Sequence, residues 1–323
     1  MRVFVTGGAG FIGRTVVHEL VARGDSIVAA VRNPARASDL EGSGLRIVKS
    51  DLSAVDELVE AIRGTDAVIH IAGMYRLGIP ASDHAAMWDA NVGATERVLD
   101  AAAAADVARI VVVSTVNVFG NTGGIVVDET YERDTAKGFL SYYDETKFSA
   151  FELTRQSAAA GRPIIIAMPG VVYGQGDYST AGLQLHLAFQ GKLRFRALDE
   201  VGMSLVHVDD VAHGIIACLD RGRLGEAYAL TGEPVTLRDA IAVAAAVGGR
   251  RSPRLRIPTT LLRASAPFGP LLSRIRGTRP NLGELVCASR GVTYWVSNAK
   301  ATRELGFYAR SVQTGVRDSW GHD

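Results

Sequence analysis

The sequence predicts an α/β protein: a doubly wound parallel sheet covered by helices on both faces, with a smaller C-terminal lobe interleaved with it. Three observations carry that reading. Short apolar runs rich in β-branched residues alternate with segments of helical period through the first half. The first of these runs passes directly into a helix through a cluster of glycines. From Gly174 the rhythm breaks into irregular segments punctuated by Gly and Pro at 174–182, 248–258 and 267–280.

The strands are expected at Arg2–Thr6, Ser26–Val31, Leu45–Lys49, Ala67–Ile71, Ile110–Ser114 and Ile164–Pro169, each a short apolar run of the kind buried on both faces. Helices fall between them at roughly Phe11–Arg23, Val55–Arg63, Ala85–Ala105 and Ser141–Ala160. Residues 1–173 are expected to form the sheet domain. A return to the sheet is expected near 203–220, its strand at Leu205–Val208, with 174–202 and 221–323 forming the smaller lobe.

Bulk properties narrow the function classes. The chain has 323 residues, 47% hydrophobic and 21% charged, with a net charge of +1. That is enough chain for an ample core and gives no reason to expect nucleic acid or an anionic membrane as partner. Only Cys218 and Cys287 are present, which fits a reducing, cytoplasmic setting and suggests no disulfide framework or zinc site. No leader-like segment precedes the strand at Arg2, no apolar run is long enough to span a bilayer, and the seven histidines show no ligand spacing.

The glycine cluster is the first functional signal. From Phe11 the apolar residues Ile12, Val16, Val17, Leu20 and Val21 recur at helical spacing, so a strand ends and a helix begins across Gly7, Gly10 and Gly13. The first N–H groups of such a helix point unpaired at the turn and, with the helix dipole, form an anion site. Gly7 suits the tight turn, Gly10 lets a pyrophosphate approach the backbone, and Gly13 lets helix pack on strand.

Val5-Thr6-Gly7-Gly8-Ala9-Gly10-Phe11-Ile12-Gly13, with its Gly-x-x-Gly-x-x-Gly spacing, resembles the opening of the extended short-chain dehydrogenase/reductase superfamily, the NAD-dependent epimerase/dehydratase family. The pattern is most similar to dihydroflavonol 4-reductase-like and hopanoid-associated sugar epimerase-like members, and runs to about Ala242. The resemblance implies a Rossmann fold, a bound dinucleotide and a small-molecule substrate. It also implies a homodimer through the helices at Ala85–Ala105 and Ser141–Ala160.

The end of the second strand chooses the dinucleotide. An acid there would hydrogen-bond the adenosine ribose of NAD, but the chain reads Ala30-Val31-Arg32-Asn33-Pro34. Arg32, with Arg36 near it, offers a guanidinium to a 2′-phosphate, so NADP is expected over NAD. The resemblance adds Phe11 and Ile12 to the turn and places Asp51 and Leu52 against the adenine, although Asp51 alone would serve equally as a helix N-terminal acid. It makes Ala72 and Gly73, after His70-Ile71, part of the cofactor wall, with His70 a packed residue rather than a catalyst. Pro169, Gly170 and Val172 match the loop that receives the nicotinamide carboxamide, with Met168 standing where the family usually has arginine.

Tyr143-Asp144-Glu145-Thr146-Lys147 sets a phenol and an ammonium one helical turn apart on one face. A nearby cation lowers the pKa of a phenol from about 10 towards the working range, which suits a proton donor and acceptor. Tyr142 is a rival, but its neighbour four residues on is Thr146. By resemblance, Val113-Ser114-Thr115-Val116-Asn117-Val118-Phe119-Gly120 supplies the third member, Thr115, with Ser114 in reserve. Asn91 matches a catalytic-site asparagine. Val116, Asn117 and Tyr173 are expected, with Thr115 and Tyr143, to line the substrate.

Met203 stands where nucleotide-sugar enzymes of the family place an arginine. With Met168, Leu183, Leu185, Leu187 and Phe189 it argues for an uncharged ligand, although these residues would serve equally as core. Arg194, Arg196 and the basic run at 250–256 would be either phosphate contacts or a solvated surface. The expected activity is reduction of an apolar ketone or aldehyde. A nucleotide-sugar epimerase or dehydratase and an idle NADP-sensing protein are the alternatives.

Overall fold

A computed structural model describes residues 1–38, 40, 44–258, 282–289 and 291–321. The Pro-rich stretch at 267–280 lies outside them. In chain order the first half runs β1 (Arg2–Thr6), α1 (Phe11–Ala22), β2 (Ser26–Val31), β3 (Leu45–Lys49), α2 (Val55–Ile62), β4 (Ala67–His70) and α3 (His84–Trp88). A π turn (Asp89–Gly93), α4 (Ala94–Ala104), β5 (Arg109–Val113), α5 (Tyr142–Ala159) and β6 (Ile164–Pro169) complete it. The single helix expected over Ala85–Ala105 is therefore interrupted by a wide turn that carries Asn91.

The second half adds β7 (Val171–Tyr173), α6 (Thr180–Phe189), β8 (Arg196–Ala197), β9 (Gly202–His207) and α7 (Val208–Arg221). It continues with β10 (Ala227–Leu230), β11 (Pro234–Thr236), α8 (Leu237–Val247), β12 (Arg256–Ile257) and β13 (Thr293–Tyr294).

Seven parallel strands make the main sheet in the order β10-β6-β5-β4-β1-β2-β3. The order reverses between β1 and β4, and a crevice opens beyond the carboxyl ends of strands at such a switch point. The register puts Thr6 opposite both Ala30 and His70, and His70 opposite Val112. The glycine turn after β1, the Ala72-Gly73 loop after β4 and the Thr115 turn after β5 therefore share one edge.

Apolar faces explain the two helical layers. Val16, Val17 and Leu20 of α1 pack with Val211, Ile215 and Leu219 of α7 on one face of the sheet. Leu58 and Ile62 of α2 pack with Val98 and Leu99 of α4 on the other. A third core, with Tyr173, Leu185, Met203, Ile241 and Val316, belongs to the smaller lobe.

One expectation is corrected. Of the expected segment Leu205–Val208, the first three residues do lie in a strand, β9, but β9 joins β7, β11 and β13 in a second sheet. It is β10 that returns to the main sheet, beside β6. Every residue of β9 is buried, and a run buried on both faces reads the same in either sheet. The helix that follows it, α7, does return and packs on α1.

Candidate active site

The turn after β1 is closed around missing side chains. Gly7 has φ +74°, and a Cβ there would lie 2.7 Å from the Ala72 nitrogen. A Cβ on Gly13 would lie 2.1 Å from the Gly7 carbonyl oxygen, so α1 rests directly on the strand end. The Gly10 N–H closes the turn onto that carbonyl at 2.9 Å. Gly10 caps α1 without any side-chain bond, and the first turn of α1 holds no acid. Phe11 and Ile12 are half-buried beside it. An uncapped helix start beside a cradle that a Cβ would fill suits a pyrophosphate, so the residues present fit a dinucleotide.

Arg32 projects from the end of β2, exposed, with no hydrogen bond or ion pair to the described residues. Arg14 Nη2 donates to the carbonyls of Ala9 at 3.4 Å and Arg36 at 2.9 Å, tying the glycine turn to the turn after Arg32. Asp51 Oδ1 accepts from the Ser53 N–H and hydroxyl, which hold the exposed carboxyl below the usual range. The Leu52 side chain is buried in the core cluster of Val28, Ala30 and Leu58. Leu52 is held at φ +64° while Arg97 Nε donates to its carbonyl at 2.6 Å.

Behind this crevice runs a directed chain of hydrogen bonds. Thr6 Oγ1 accepts from the N–H groups of Ile71 and Ala72, so its hydroxyl donates to His70 Nδ1 at 2.8 Å. His70 Nε2–H then donates to Thr95, whose hydroxyl donates to the Asn91 carbonyl. Burial, reinforced by Lys147, pushes His70 down to about 3 and keeps it neutral. His70 is the packed residue expected.

Tyr143 and Lys147 both reach the end of β5. The Tyr143 hydroxyl lies near the Thr115 side chain, and Lys147 Nζ donates to the Val113 carbonyl at 3.3 Å. Thr115 also caps the following turn by accepting from the Asn117 N–H at 3.3 Å. Ser114 does not take this place: its buried hydroxyl has no hydrogen-bond partner among the described residues and lines a small cavity with His70 and Lys147. The expected effect of lysine on tyrosine is corrected. Burial raises the Tyr143 pKa, with Tyr75 adding to it and only the nearby Thr115 side chain opposing. Lys147 is itself pushed down to about 8 by desolvation.

Asn91 is fully engaged. Its carboxamide oxygen accepts from the Met74 N–H at 2.7 Å, and its amide donates to the Met74 carbonyl at 3.1 Å and Thr146 Oγ1 at 2.9 Å. It therefore clasps the loop after Gly73 to the helix of Tyr143, and Gly73 leaves it room.

Two expected substrate residues are corrected. Val116 is buried in the core of the main sheet, and only Asn117, half-buried, stays near Thr115. Tyr173 is 1% exposed, and its hydroxyl packs against Gly315, where a Cβ would lie 2.1 Å away. It is core of the smaller lobe. Pro169 ends β6 buried, and the Gly170 N–H is taken by the Leu230 carbonyl at 3.1 Å. A Cβ on Gly170 would lie 2.1 Å from the Ser204 carbonyl oxygen, so that glycine lets β9 approach closely. Val172 is half-buried beside it.

Met168, Met203 and Leu185 are core, whereas Leu183 is exposed. Arg196 and Arg256 line a cavity of about 350 Å³ with Asp199 and Glu200. Arg196 pairs with Asp199 at 3.4 Å, and Arg256 pairs with both acids. Arginines neutralised by fixed acids make a poor phosphate site.

The structure adds groups the sequence reading missed. Arg133 forms a two-pronged ion pair with Asp144, at 2.5 and 2.7 Å, in the first turn of α5. Their side chains are 6% and 3% exposed. The Tyr75 ring meets Tyr143 edge to face at 4.9 Å and 85°. No local signal marks Arg133, which sits in a run of charges. Asp144 reads as an ordinary acid at a helix start. Among the described residues no cluster of His, Cys, Asp or Glu could hold a metal ion, and no helix is long and apolar enough to cross a membrane.

A doubly wound sheet with a glycine cradle at its switch point, and a tyrosine, lysine and threonine set on the next strand end, defines the NAD(P)-dependent oxidoreductases of the extended short-chain type. The chain belongs to the NAD dependent epimerase/dehydratase family, whose model matches residues 3–230. It is 34% identical over 317 residues to a 4-hydroxy-2-methyl-3-oxo-4-farnesyl-3,4-dihydroquinoline-1-oxide ketoreductase of Stigmatella aurantiaca, covering 96% of this chain and 92% of that one. It is 28% identical to a 2-alkyl-3-oxoalkanoate reductase of Stenotrophomonas maltophilia, covering 98% of each. The structure matches that of gox2253 with a TM-score of 0.82 and 30% identity, covering 99% and 96% of the two chains. A UDP-glucuronic acid 4-epimerase from Bacillus cereus shares the fold, with a TM-score of 0.79 at 18% identity, covering 99% and 98%.

Proposed function

We propose that this enzyme reduces an apolar ketone or aldehyde with NADPH, Tyr143 giving the proton. The observation that carries the reading is the meeting of Tyr143, Thr115 and Lys147 at the end of β5. When bound, the reduced nicotinamide supplies the hydride. Thr115 and Tyr143 hydrogen-bond the substrate oxygen and favour the charge that grows on it. Burial keeps Tyr143 protonated, the form a reductase needs for its acid. Lys147 would hold the nicotinamide ribose through its ammonium and favour the phenolate once the proton has left. Asn91 positions rather than reacts. Gly7, Gly10 and Gly13 receive the pyrophosphate, and Arg32 the 2′-phosphate.

An apolar substrate is supported by the arginines tied to Asp199 and Glu200, by Met203 in place of a cation, and by the two reductase relatives. We further propose residues 1–173 as the cofactor domain and a cytoplasmic homodimer formed through α4 and α5.

The test is NADPH consumption against a panel of carbonyl compounds and UDP- and TDP-sugars. Net oxidation with ketones or aldehydes is expected. Sugar-nucleotide conversion without net cofactor change would replace this reading by epimerase or dehydratase chemistry, and cofactor binding without any turnover by a sensor.

A further inference from the structure

Tyr75 is 54% exposed although it adjoins the catalytic tyrosine. The backbone before it is anchored: both the N–H and the carbonyl of Met74 are bonded to Asn91. The same carboxamide holds Thr146, one turn beyond Tyr143. Loop, clasp and catalytic helix thus form one unit, and the Tyr75 ring stands edge-on to the ring of Tyr143. Met74 and Leu77, on the same loop, pack with Ile79, Met87 and Tyr143 in a small apolar cluster. Asp177, held by Ser179 at the start of α6, lies within electrostatic reach of the Tyr75 hydroxyl. An aromatic ring held edge-on to Tyr143 and more than half exposed offers a surface that water covers poorly.

We propose that Tyr75 determines substrate specificity, its exposed ring taking the apolar arm of the carbonyl compound and holding the carbonyl against Tyr143 and Thr115. This rests on the reductase reading and adds to it a substrate class: carbonyls flanked by an extended alkyl or planar apolar group. A small hydrophilic aldehyde would leave the ring bare and gain nothing from it.

The experiment compares wild type, Tyr75→Ala and Tyr75→Phe with short and long methyl ketones. It reads steady-state kinetics, calorimetric binding of the same ketones to the NADP-loaded protein, and the Kd for NADPH. Tyr75→Ala is expected to raise KM and ligand Kd for the long ketones by on the order of tenfold, with a smaller change in kcat. Tyr75→Phe should restore both, and the NADPH Kd should stay within about twofold in each variant. Long ketones bound equally by wild type and Tyr75→Ala would overturn the proposal. So would a loss confined to NADPH binding, which would make the ring part of the cofactor wall. If wild type binds long ketones and Tyr75→Ala does not, but neither turns over, the specificity role stands and the reductase reading falls. If wild type binds no ketone, both fall.

Discussion

Removing the guanidinium of Arg133 should damage the enzyme from a position that touches neither cofactor nor substrate. Arg133 Nη1 and Nη2 bind the two carboxylate oxygens of Asp144, and the same nitrogens donate to the carbonyls of Val118 at 3.3 Å and Gly138 at 3.1 Å. The cation also lies over the Phe139 ring at 4.6 Å. In Arg133→Met the Asp144 carboxylate keeps only the Leu140 N–H, at 2.9 Å, of these partners. Leaving one member of a buried pair uncompensated costs about 3–5 kcal/mol. With an unfolding entropy of about 2.1 cal/mol/K per residue, a chain of 323 residues carries about 0.7 kcal/mol/K. The expected fall in Tm is therefore about 4–7 °C. Because Asp144 adjoins Tyr143, kcat should fall as well. Arg133→Met/Asp144→Leu removes both charges and should regain much of the lost stability, since exchanging a whole buried pair for apolar residues is often neutral. Calorimetry on the two single variants and the double variant tests this. A Tm within about 1 °C of wild type for Arg133→Met, or a double variant below both singles, would refute the reasoning.

Tyr143→Phe should lower kcat by on the order of 10²–10⁴ while the NADPH Kd moves only a few-fold, because the phenol acts chiefly in the transition state; near-normal turnover would remove Tyr143 from the mechanism. Arg32→Asp removes a charge-assisted contact to a 2′-phosphate and adds repulsion. The NADPH-to-NADH ratio of kcat/KM should fall by roughly 10- to 100-fold, and an unchanged ratio would show that Arg32 does not read the phosphate. Lys147 carries its proton below about 8 and loses it above. The kcat/KM for NADPH should accordingly decline as pH rises through about 8, and Lys147→Arg, which stays charged, should show no such break. A wild-type profile flat to pH about 9 would count against the depressed ammonium.

What was legible in the sequence was local. β1, β2, β3 and β6 appear with the expected bounds, because each is a short apolar run closed by glycine or polar residues, and tertiary context had little to override. The pairing of Tyr143 with Lys147 needs only the pitch of a helix, and the glycine turn needs only a strand followed by one. The failures share a different cause. Tyr173 looked like a substrate residue because of the motif around it, but the hydroxyl points at Gly315, which lies far along the chain. The strand β9 belongs to a different sheet from the one expected, since a fully buried strand carries no mark of its partners.

Electrostatics followed the same division. The expectation that Lys147 lowers the pKa of Tyr143 treated two charges on a bare helix, where proximity decides. In the folded chain burial decides first, raising the phenol and lowering the ammonium together. Arg133, Asp144, Asn91 and Tyr75 lie on elements joined only by tertiary bonds, and it is these bonds that hold the reacting groups at fixed separation. The chemistry of this site is thus written in i, i+4 spacing and a glycine pattern. Its rigidity, and the selectivity that rigidity permits, is written in contacts between residues distant in sequence.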